Sequence, residues 1–401
     1  MKFGDNRIPD ASIVKINSIV KILVLFITSL LNVHVFGQQS EELYIDELND
    51  STVFKEVESI LVDGAFFSNK DKSILLAKKC GNLKRLHVSG MKHLPFGENL
   101  CSFHNLISLR IENIQNVSFP HCFTLNNTLD SLVIITSNQK NLLLEVHKIP
   151  SLQCLALIDT RITTSQLEQL RELKKLKVLR LGSNRITSSF SLGYFTSIEH
   201  LSLDNNLLQS FNLSDTLYSL TALSISGNKI KNYSGLLKAP NIIKLNLSDN
   251  KMVAVPLEVG NSKNLLDLDL SHNKITNYDK LAYLKKLRTL SLSNNFLEKI
   301  PTSLSSVNTI AKLDISFNKE LNIDSTLNQL IAYFGVLEEL NVSYCELSHI
   351  PSIISELKHL KRIIISGNKL SKQAIDELQR NIPICEIVNL NIISGIPKYP
   401  N

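Results

Sequence analysis

The chain has 401 residues and a formal net charge of +6. Its charges are scattered and form no concentrated basic stripe, so the composition predicts no nucleic-acid partner. Aromatic residues make up 6% of the chain and Trp is absent, which favours a core of many small aliphatic layers. No Pro/Gly/Ser-rich linker divides the chain, so one elongated unit is compatible with its length.

Residues 1–37 have the pattern of a signal peptide. Four basic residues precede the apolar run ILVLFITSLLNVHVF, which is shorter than the roughly 20 residues of a membrane-spanning helix. Val35 and Gly37 satisfy the small-residue rule for cleavage before Gln38. We therefore expect export to the periplasm, cell surface or exterior, with no stable membrane insertion after cleavage. A retained N-terminal anchor or a buried helix is the alternative.

Residues 38–56 are expected to form an N-terminal cap. The stretch SEELYIDELNDSTVFKEVESI, at residues 40–60, favours a helix that would cover the first edge of a stacked core.

A pattern of the form L-x-x-L-x-L-x-x-N repeats every 22 or 23 residues from Leu176 onward, with one longer copy of 27 residues. The ninth position holds Asn184, Asn206, Asn228, Asn250, Asn273, Asn295, Asn318, Cys345 and Asn368. Before Leu176 the aliphatic columns persist without the asparagine. The pattern predicts about 14 repeats over residues 57–372, of which the first five are degenerate.

Each x-L-x-L-x segment predicts a short strand whose two leucines face inward. One such strand cannot bury its leucines alone, but parallel copies stacked on each other form a continuous core. The asparagine side chain can donate and accept hydrogen bonds where the backbone turns after the strand. Because this residue is missing near the N-terminus, we expect the N-terminal third to be less regular.

This pattern resembles the leucine-rich repeats of secreted bacterial proteins. NKITNYDKLAYLKKL is similar to the 22-residue internalin class, and LEKIPTSLSSV resembles a 23-residue class with Ile-Pro after the asparagine. The resemblance implies an α/β fold: a curved solenoid, horseshoe or arc, with a parallel concave β-sheet. Short 3₁₀, helical or extended segments would form the convex side, with a longer helix through STLNQLIAYFG.

Residues 373–401 are expected to form a C-terminal cap and a short tail. SKQAIDELQRNIPICEIVNL predicts a helix followed by a final strand, with Cys385 buried inside the cap.

The six cysteines form no C-x-x-C pair and have no metal-ligand spacing. Cys101 and Cys122 fall in adjacent repeats, but their offsets within the repeat differ by two residues. The sequence therefore favours buried free thiols over a disulfide between them.

No catalytic motif is present: the chain lacks G-x-S-x-G, a P-loop, H-E-x-x-H and G-x-G-x-x-G. His87, His200 and His272 fall near the strand face without carboxylate or cysteine partners at ligand spacing, so we expect exposed surface residues. The sequence predicts a non-enzyme without catalytic residues, cofactor or metal.

One face of the predicted sheet is the candidate binding surface. Its outward positions begin basic, become apolar, and end small, polar and acidic, with two aromatic residues alongside. The predicted partner-binding residues are Asn246, Asp267, Asp269, Ser291, Asp314, Phe317, Asn341 and Tyr344. A rigid concave sheet suits binding of a protein partner.

Two other functions stay open. One is a cell-surface adhesive or structural component, for which carbohydrate is a weaker candidate ligand. The other, if the signal is not cleaved, is a cytoplasmic regulatory subunit of an enzyme.

Overall fold

The computed structural model describes ten segments of the chain: residues 43–45, 57–63, 70–90, 94–95, 98–113, 117–119, 121–125, 128–137, 142–188 and 191–390. The predicted signal peptide and most of the predicted N-terminal cap lie outside these described residues.

One 16-stranded parallel sheet runs through the described part of the chain. Apart from β4 and β6, which pair with each other in a small second sheet, its strands follow chain order. The strands are β1 (Leu43–Ile45), β2 (Ser59–Asp63), β3 (Arg85–Ser89), β4 (Leu94–Pro95), β5 (Ser108–Glu112), β6 (Val117–Ser118), β7 (Ser131–Ile135), β8 (Cys154–Ile158), β9 (Val178–Arg180), β10 (His200–Ser202), β11 (Ala222–Ser224), β12 (Lys244–Asn246), β13 (Asp267–Asp269), β14 (Thr289–Ser291), β15 (Lys312–Asp314), β16 (Glu339–Asn341), β17 (Arg362–Ile364) and β18 (Glu386–Val388).

The repeat leucines form the core beneath this sheet. Leu245, Leu268 and Leu290 are register partners on adjacent strands, and each is at most 2% exposed. Burying one such side chain contributes roughly 2 kcal/mol. The residues on either side of each leucine face away from the core, so the open face of the sheet carries the variable positions.

The opposite side of the solenoid consists of short helices. The α-helices are α1 (Lys70–Lys79), α2 (Cys122–Leu125), α3 (Leu142–Val146), α4 (Leu257–Gly260), α5 (Ile323–Tyr333) and α6 (Lys372–Asn381), and the 3₁₀ helices are Glu98–Ser102, Thr164–Leu170, Ser234–Lys238, Asp279–Tyr283, Thr302–Ser306 and Ser352–Glu356. Pro301 and Pro351 directly precede two of these 3₁₀ helices. Because the helical segments occupy more space along the solenoid than the strands do, the stack curves and the sheet lies on its concave side. The predicted curved leucine-rich repeat solenoid is confirmed.

The asparagine column closes the turn after each strand, as predicted. Asn184 shows the pattern: its Oδ1 accepts from the backbone N–H of Ile162, and its Nδ2 donates to the carbonyl oxygens of Leu157 and Leu181. Each asparagine therefore joins its own repeat to the preceding one. Cys345 acts similarly, because its Sγ lies 3.3 Å from the carbonyl oxygen of Ile315.

The prediction of a less regular N-terminal third holds for the convex side only. That side carries α1, α2, α3 and the small β4–β6 sheet. The concave strands β3, β5, β7 and β8 are five residues long, whereas β9 to β17 have three residues each. Where the asparagine is missing, longer strand pairing replaces it.

The two ends of the sheet differ in how far they follow the sequence prediction. Residues 43–45 were expected in a helical cap, but they form strand β1, parallel to β2, so that prediction is wrong there. The segment Leu-Tyr-Ile has strong strand propensity, and pairing satisfies one edge of β2. At the other end, helix α6 and strand β18 agree with the predicted helix and final strand.

Cys101 and Cys122 form a disulfide, so the prediction of free thiols is wrong for this pair. The two residues lie on different convex elements, a 3₁₀ helix and α2, so unequal offsets in the repeat still bring their Cα atoms to 5.8 Å. The other four cysteines are free, and Cys385 is buried as predicted.

Candidate functional site

Five of the predicted binding residues form one row across the concave sheet. Strand register aligns the fifth repeat position from β12 to β16, which places in line Asn246, Asp269, Ser291, Asp314 and Asn341. Asp267 belongs to the neighbouring row at the third position, between Lys244 and Thr289. We call these two rows on β12–β16, together with Phe317 and Tyr344, the C-terminal concave patch.

Four side chains of this patch also hold the backbone. In each case Oδ1 accepts the backbone N–H two residues further along, at 2.9 to 3.0 Å. The acceptors and donors are Asn246 with Ser248, Asp269 with Ser271, Asp314 with Ser316, and Asn341 with Ser343. Sequence reasoning missed this structural role, although an Asx residue two positions before a serine in successive repeats is a signal for it.

The carboxylates of the patch are partly desolvated. Burial raises the pKa of Asp314, against hydrogen bonds from Ser316 that lower it. Burial also raises the pKa of Asp267; Lys244 opposes this shift, and the like charge of Asp269 adds to it. The patch thus contains carboxylates that would gain from a cationic partner group.

Phe317 and Tyr344 form a stacked aromatic pair beside the row. Their ring centroids lie 4.5 Å apart with an interplanar angle of 11°. The Tyr344 ring also lies over the backbone of Gly367, where an added Cβ would come within 2.3 Å of the ring. Phe317 remains 46% exposed. The rings therefore stand one per repeat along the solenoid, with the exposed part of Phe317 available for contact.

This aromatic pair occupies strained backbone. The eighth repeat position is left-handed throughout the described repeats, and Phe317 and Tyr344 have φ values of 57° and 56°. Other repeats place there smaller or polar residues, among them Asn113, Asp159, Ser183, Asn205 and Gly227. Bulky side chains are disfavoured in this conformation, so two aromatics at adjacent eighth positions set this pair apart from the other repeats.

A second feature, which sequence reasoning missed, is a concave cavity of about 550 Å³ that spans β9 to β13. Asp204 lies at its edge and accepts four hydrogen bonds, from Ser202, Ser224 and the backbone and side chain of Ser226. The signal in the sequence was Asp204 itself, since later repeats have serine in that column.

The basic N-terminal strands carry an ion-pair cluster. His87 and Arg110 both contact Glu112, with a His87 Nε2 to Glu112 Oε1 distance of 3.5 Å. These contacts, His87 first, lower the pKa of Glu112 to about 2, although burial opposes them. The expectation that His87 is an exposed histidine without a carboxylate partner is wrong, because Glu112 lies one strand away and two positions along.

Within the described residues, no group of three or more His, Cys, Asp or Glu side chains is placed to hold a metal ion. The helices of the same part of the chain are all too short or too polar to cross a membrane.

Two family models match within the chain. A model of two leucine-rich repeats matches residues 263–314, and a single leucine-rich repeat model matches residues 336–357. Both matches fall in the half of the sheet that carries the asparagine column.

Similar proteins also contain leucine-rich repeats. A leucine-rich repeat protein from Leptospira interrogans superposes with a TM-score of 0.62 at 23% identity, covering 83% of this chain and 90% of that one. An internalin from Listeria monocytogenes gives 0.51 at 16% identity, with 79% and 83% coverage. TLR13 in its complex with ssRNA13 gives 0.57 at 17% identity, with 83% and 57% coverage.

Osteomodulin from Bos taurus is 28% identical over 204 residues, which are 50% of this chain and 46% of osteomodulin, so the match spans about half of that protein. The chain is thus built of leucine-rich repeats in a leucine-rich repeat fold. Proteins of this fold are typically non-catalytic modules for protein–protein interaction, which use the concave surface of the stack.

Proposed function

We propose that this chain is an exported, non-catalytic binding protein that holds a protein partner on the C-terminal concave patch. The observation that carries the proposal is the aromatic pair. Phe317 and Tyr344 sit at left-handed positions where other repeats have small or polar residues, next to the half-buried Asp314. Aromatic anchors beside desolvated polar groups are typical of interface hot spots.

The orientation of the pair favours protein over carbohydrate. Because the two rings stack along the solenoid, with Gly367 beneath Tyr344, both faces of Tyr344 and one face of Phe317 are covered. Sugar recognition by aromatic residues uses an open ring face, whereas side chains of a protein partner can pack against ring edges. The charged and polar row beside the rings would then orient the partner.

Export is supported by the Cys101–Cys122 disulfide. Disulfides persist in oxidising compartments and are rare in reducing ones. The proposal agrees with a signal peptide cleaved before Gln38. Mass spectrometry of the protein recovered from fractionated cells tests it: a Gln38 N-terminus with the disulfide formed supports export, and an intact Met1 with reduced cysteines contradicts it.

Partner binding is tested by cross-linked capture with the full chain as bait. We expect the Phe317→Asn/Tyr344→Asn variant to lose the partner captured by the unmodified chain. Asparagine is already used at this position in other repeats, for example at Asn205, so the backbone conformation is preserved. Tyr218→Asn is the matched control, because Tyr218 is 70% exposed and lies outside the patch.

Charge is tested separately with Asp269→Asn and Asp314→Asn. Asparagine keeps the Oδ1 that accepts from Ser271 or Ser316, so only the charge changes. Weaker capture by these variants would show that the partner presents basic groups to the patch. Capture that is unchanged in the aromatic and both aspartate variants would contradict the proposed face.

A further inference from the structure

The cavity between β9 and β13 has two poles of opposite charge. Strand register places Arg180 at one end of the fifth-position row and Asp269 at the other. Between them stand Ser202, Ser224 and Asn246, all short and uncharged. The fifth-position row is therefore uncharged in its middle and charged at each end, while Lys244 and Asp204 line the cavity on either side of that row.

Arg180 forms the basic pole. Within the described residues its guanidinium makes no hydrogen bond and no ion pair, although the side chain is half-buried in the cavity. Asp204 also lines the cavity, but its oxygens already accept four hydrogen bonds from serine residues. An unpaired guanidinium in a concave site suits a carboxylate, which it can bind through two parallel hydrogen bonds.

Asp267 and Asp269 form the acidic pole on β13. They lie two positions apart on one strand, so both carboxylates face the cavity side of the sheet. Lys244 is the register partner of Asp267 and offsets part of its charge. Asp269 uses one oxygen for the Ser271 N–H, which leaves the other for a cation.

The distance between the poles sets the length of the ligand. Four strand steps separate β9 from β13, or about 19 Å at the usual spacing of parallel strands. An extended peptide covers that distance in about six residues.

We propose that this cavity binds an extended segment of a partner protein that carries an acidic side chain at Arg180 and a basic side chain, about six residues away, at Asp267 and Asp269. The inference rests on the proposed function, because it names the chemistry of the partner's segment. It extends the binding surface from the C-terminal concave patch, which already contains Asp267 and Asp269, to Arg180 on β9. The inward-facing residues between the two charges would lie over Ser202, Ser224 and Asn246, where small or polar side chains fit.

Synthetic peptides test this cavity without the natural partner. The probe is acetyl-Gly-Glu-Ser-Ala-Ser-Ala-Ser-Lys-Gly-amide, and one comparison peptide has the same composition with Glu and Lys adjacent. Each is incubated with the purified full chain, coupled with a carbodiimide that joins amines to carboxylates in contact, and mapped by mass spectrometry. We expect the peptide lysine to couple to Asp267 or Asp269.

The dependence on the basic pole makes the test specific. Coupling at these aspartates should fall at least about fivefold in Arg180→Gln, and equally when the peptide glutamate is replaced by glutamine. Arg362→Gln is the matched control, since Arg362 lies on the same face outside the cavity and pairs with Glu386. Circular dichroism checks that each variant is folded.

Two results would overturn the inference. One is equal coupling at Asp267 and Asp269 by the peptide with adjacent Glu and Lys, and the other is coupling that is unchanged in Arg180→Gln. Because this assay needs no partner, its failure leaves the proposed function to stand on the capture experiment. Conversely, if a captured partner is cross-linked only at residues outside β9–β13, the cavity inference fails and the proposed function stands.

Discussion

The two halves of the sheet close the same turn with different groups. In β3, β5, β7 and β8 the strand continues to the seventh repeat position, whereas from β9 to β17 it ends at the fifth. In that half the side-chain amide of the asparagine donates hydrogen bonds to the backbone carbonyl oxygens at the sixth and seventh positions. Asn228, for example, donates to Ile225 and Ser226. In several repeats the side chain at the fifth position accepts a hydrogen bond from the backbone N–H at the seventh position.

Polar residues on the C-terminal strands therefore stabilise the fold, because their side chains hydrogen-bond to the backbone of the turn. Part of the hydrogen-bonding capacity of Asp269 and Asp314 serves their own backbone. Under the proposed function, a partner would use the groups that remain, among them the second carboxylate oxygens and the aromatic pair. The predictions below perturb one half of the sheet at a time.

The largest effect is expected from removing an asparagine of the column. Asn295 is fully buried and bonds the N–H of Ile275 and the carbonyl oxygens of Leu270 and Ser293. Asn295→Ala leaves these groups unpaired, so urea unfolding should show a loss of about 3–5 kcal/mol. The control is Ser137→Ala at the same repeat position in the N-terminal half, where the hydroxyl has no hydrogen-bond partner. A similar loss in both variants would contradict the comparison.

The disulfide should stabilise the N-terminal half. It links residues 21 apart, and closing a loop of that size contributes about 3 kcal/mol in the chain-entropy account. Urea unfolding with and without reductant measures it. A Cys101→Ala/Cys122→Ala variant, which has no bond to reduce, should not respond to reductant. A stability of the unmodified chain that is independent of reductant would contradict the prediction.

The Glu112 cluster should make the N-terminal half sensitive to acid. The pKa of Glu112 is lowered to about 2 in the folded chain. The stability that its ion pairs contribute is therefore complete above the pKa of an unfolded glutamate and is lost as pH falls towards 2. Glu112→Gln should cost about 1–2 kcal/mol at neutral pH, and progressively less below pH 4.5. Glu298→Gln, at an exposed glutamate, serves as the control. A difference that does not change with pH would exclude the ion pairs as the cause.

Asp314 should make the stability of the folded chain depend on pH in the opposite direction, and by a smaller amount. Burial raises its pKa in the folded chain, so ionisation opposes folding as pH rises above the pKa of the unfolded aspartate. Asp314→Asn keeps the bond from Ser316 and should increase stability at neutral pH by a few tenths of a kcal/mol, on the order of other polar surface changes. Thermal unfolding from acid to neutral pH measures the gain, which should vanish in acid. A loss of stability at neutral pH would contradict it.

The fold was predictable because each repeat carries the same sequence signals for its strand, its turn and its convex segment. Leucine spacing specified the strands, and Asn184 and its equivalents specified the turns. The prolines before Thr302–Ser306 and Ser352–Glu356 indicated the convex 3₁₀ segments.

The convex disulfide could not be predicted, because Cys101 and Cys122 sit in segments whose secondary structure differs between repeats. The site was only partly predictable for a related reason. The register that aligns Asn246 to Asn341 follows from the repeat. The unpaired state of Arg180 and the saturation of Asp204 depend on side-chain contacts between repeats, which sequence spacing does not encode.

The measurement that tests the central claim most directly is site-specific photo-crosslinking on the concave and convex faces of two adjacent repeats. A photoreactive amino acid replaces Ser291 on the concave face, or Asp279 on the convex 3₁₀ helix. A concave binding site predicts a protein adduct from position 291 and none from position 279. An adduct from position 279 alone would contradict the account and move the partner to the convex side.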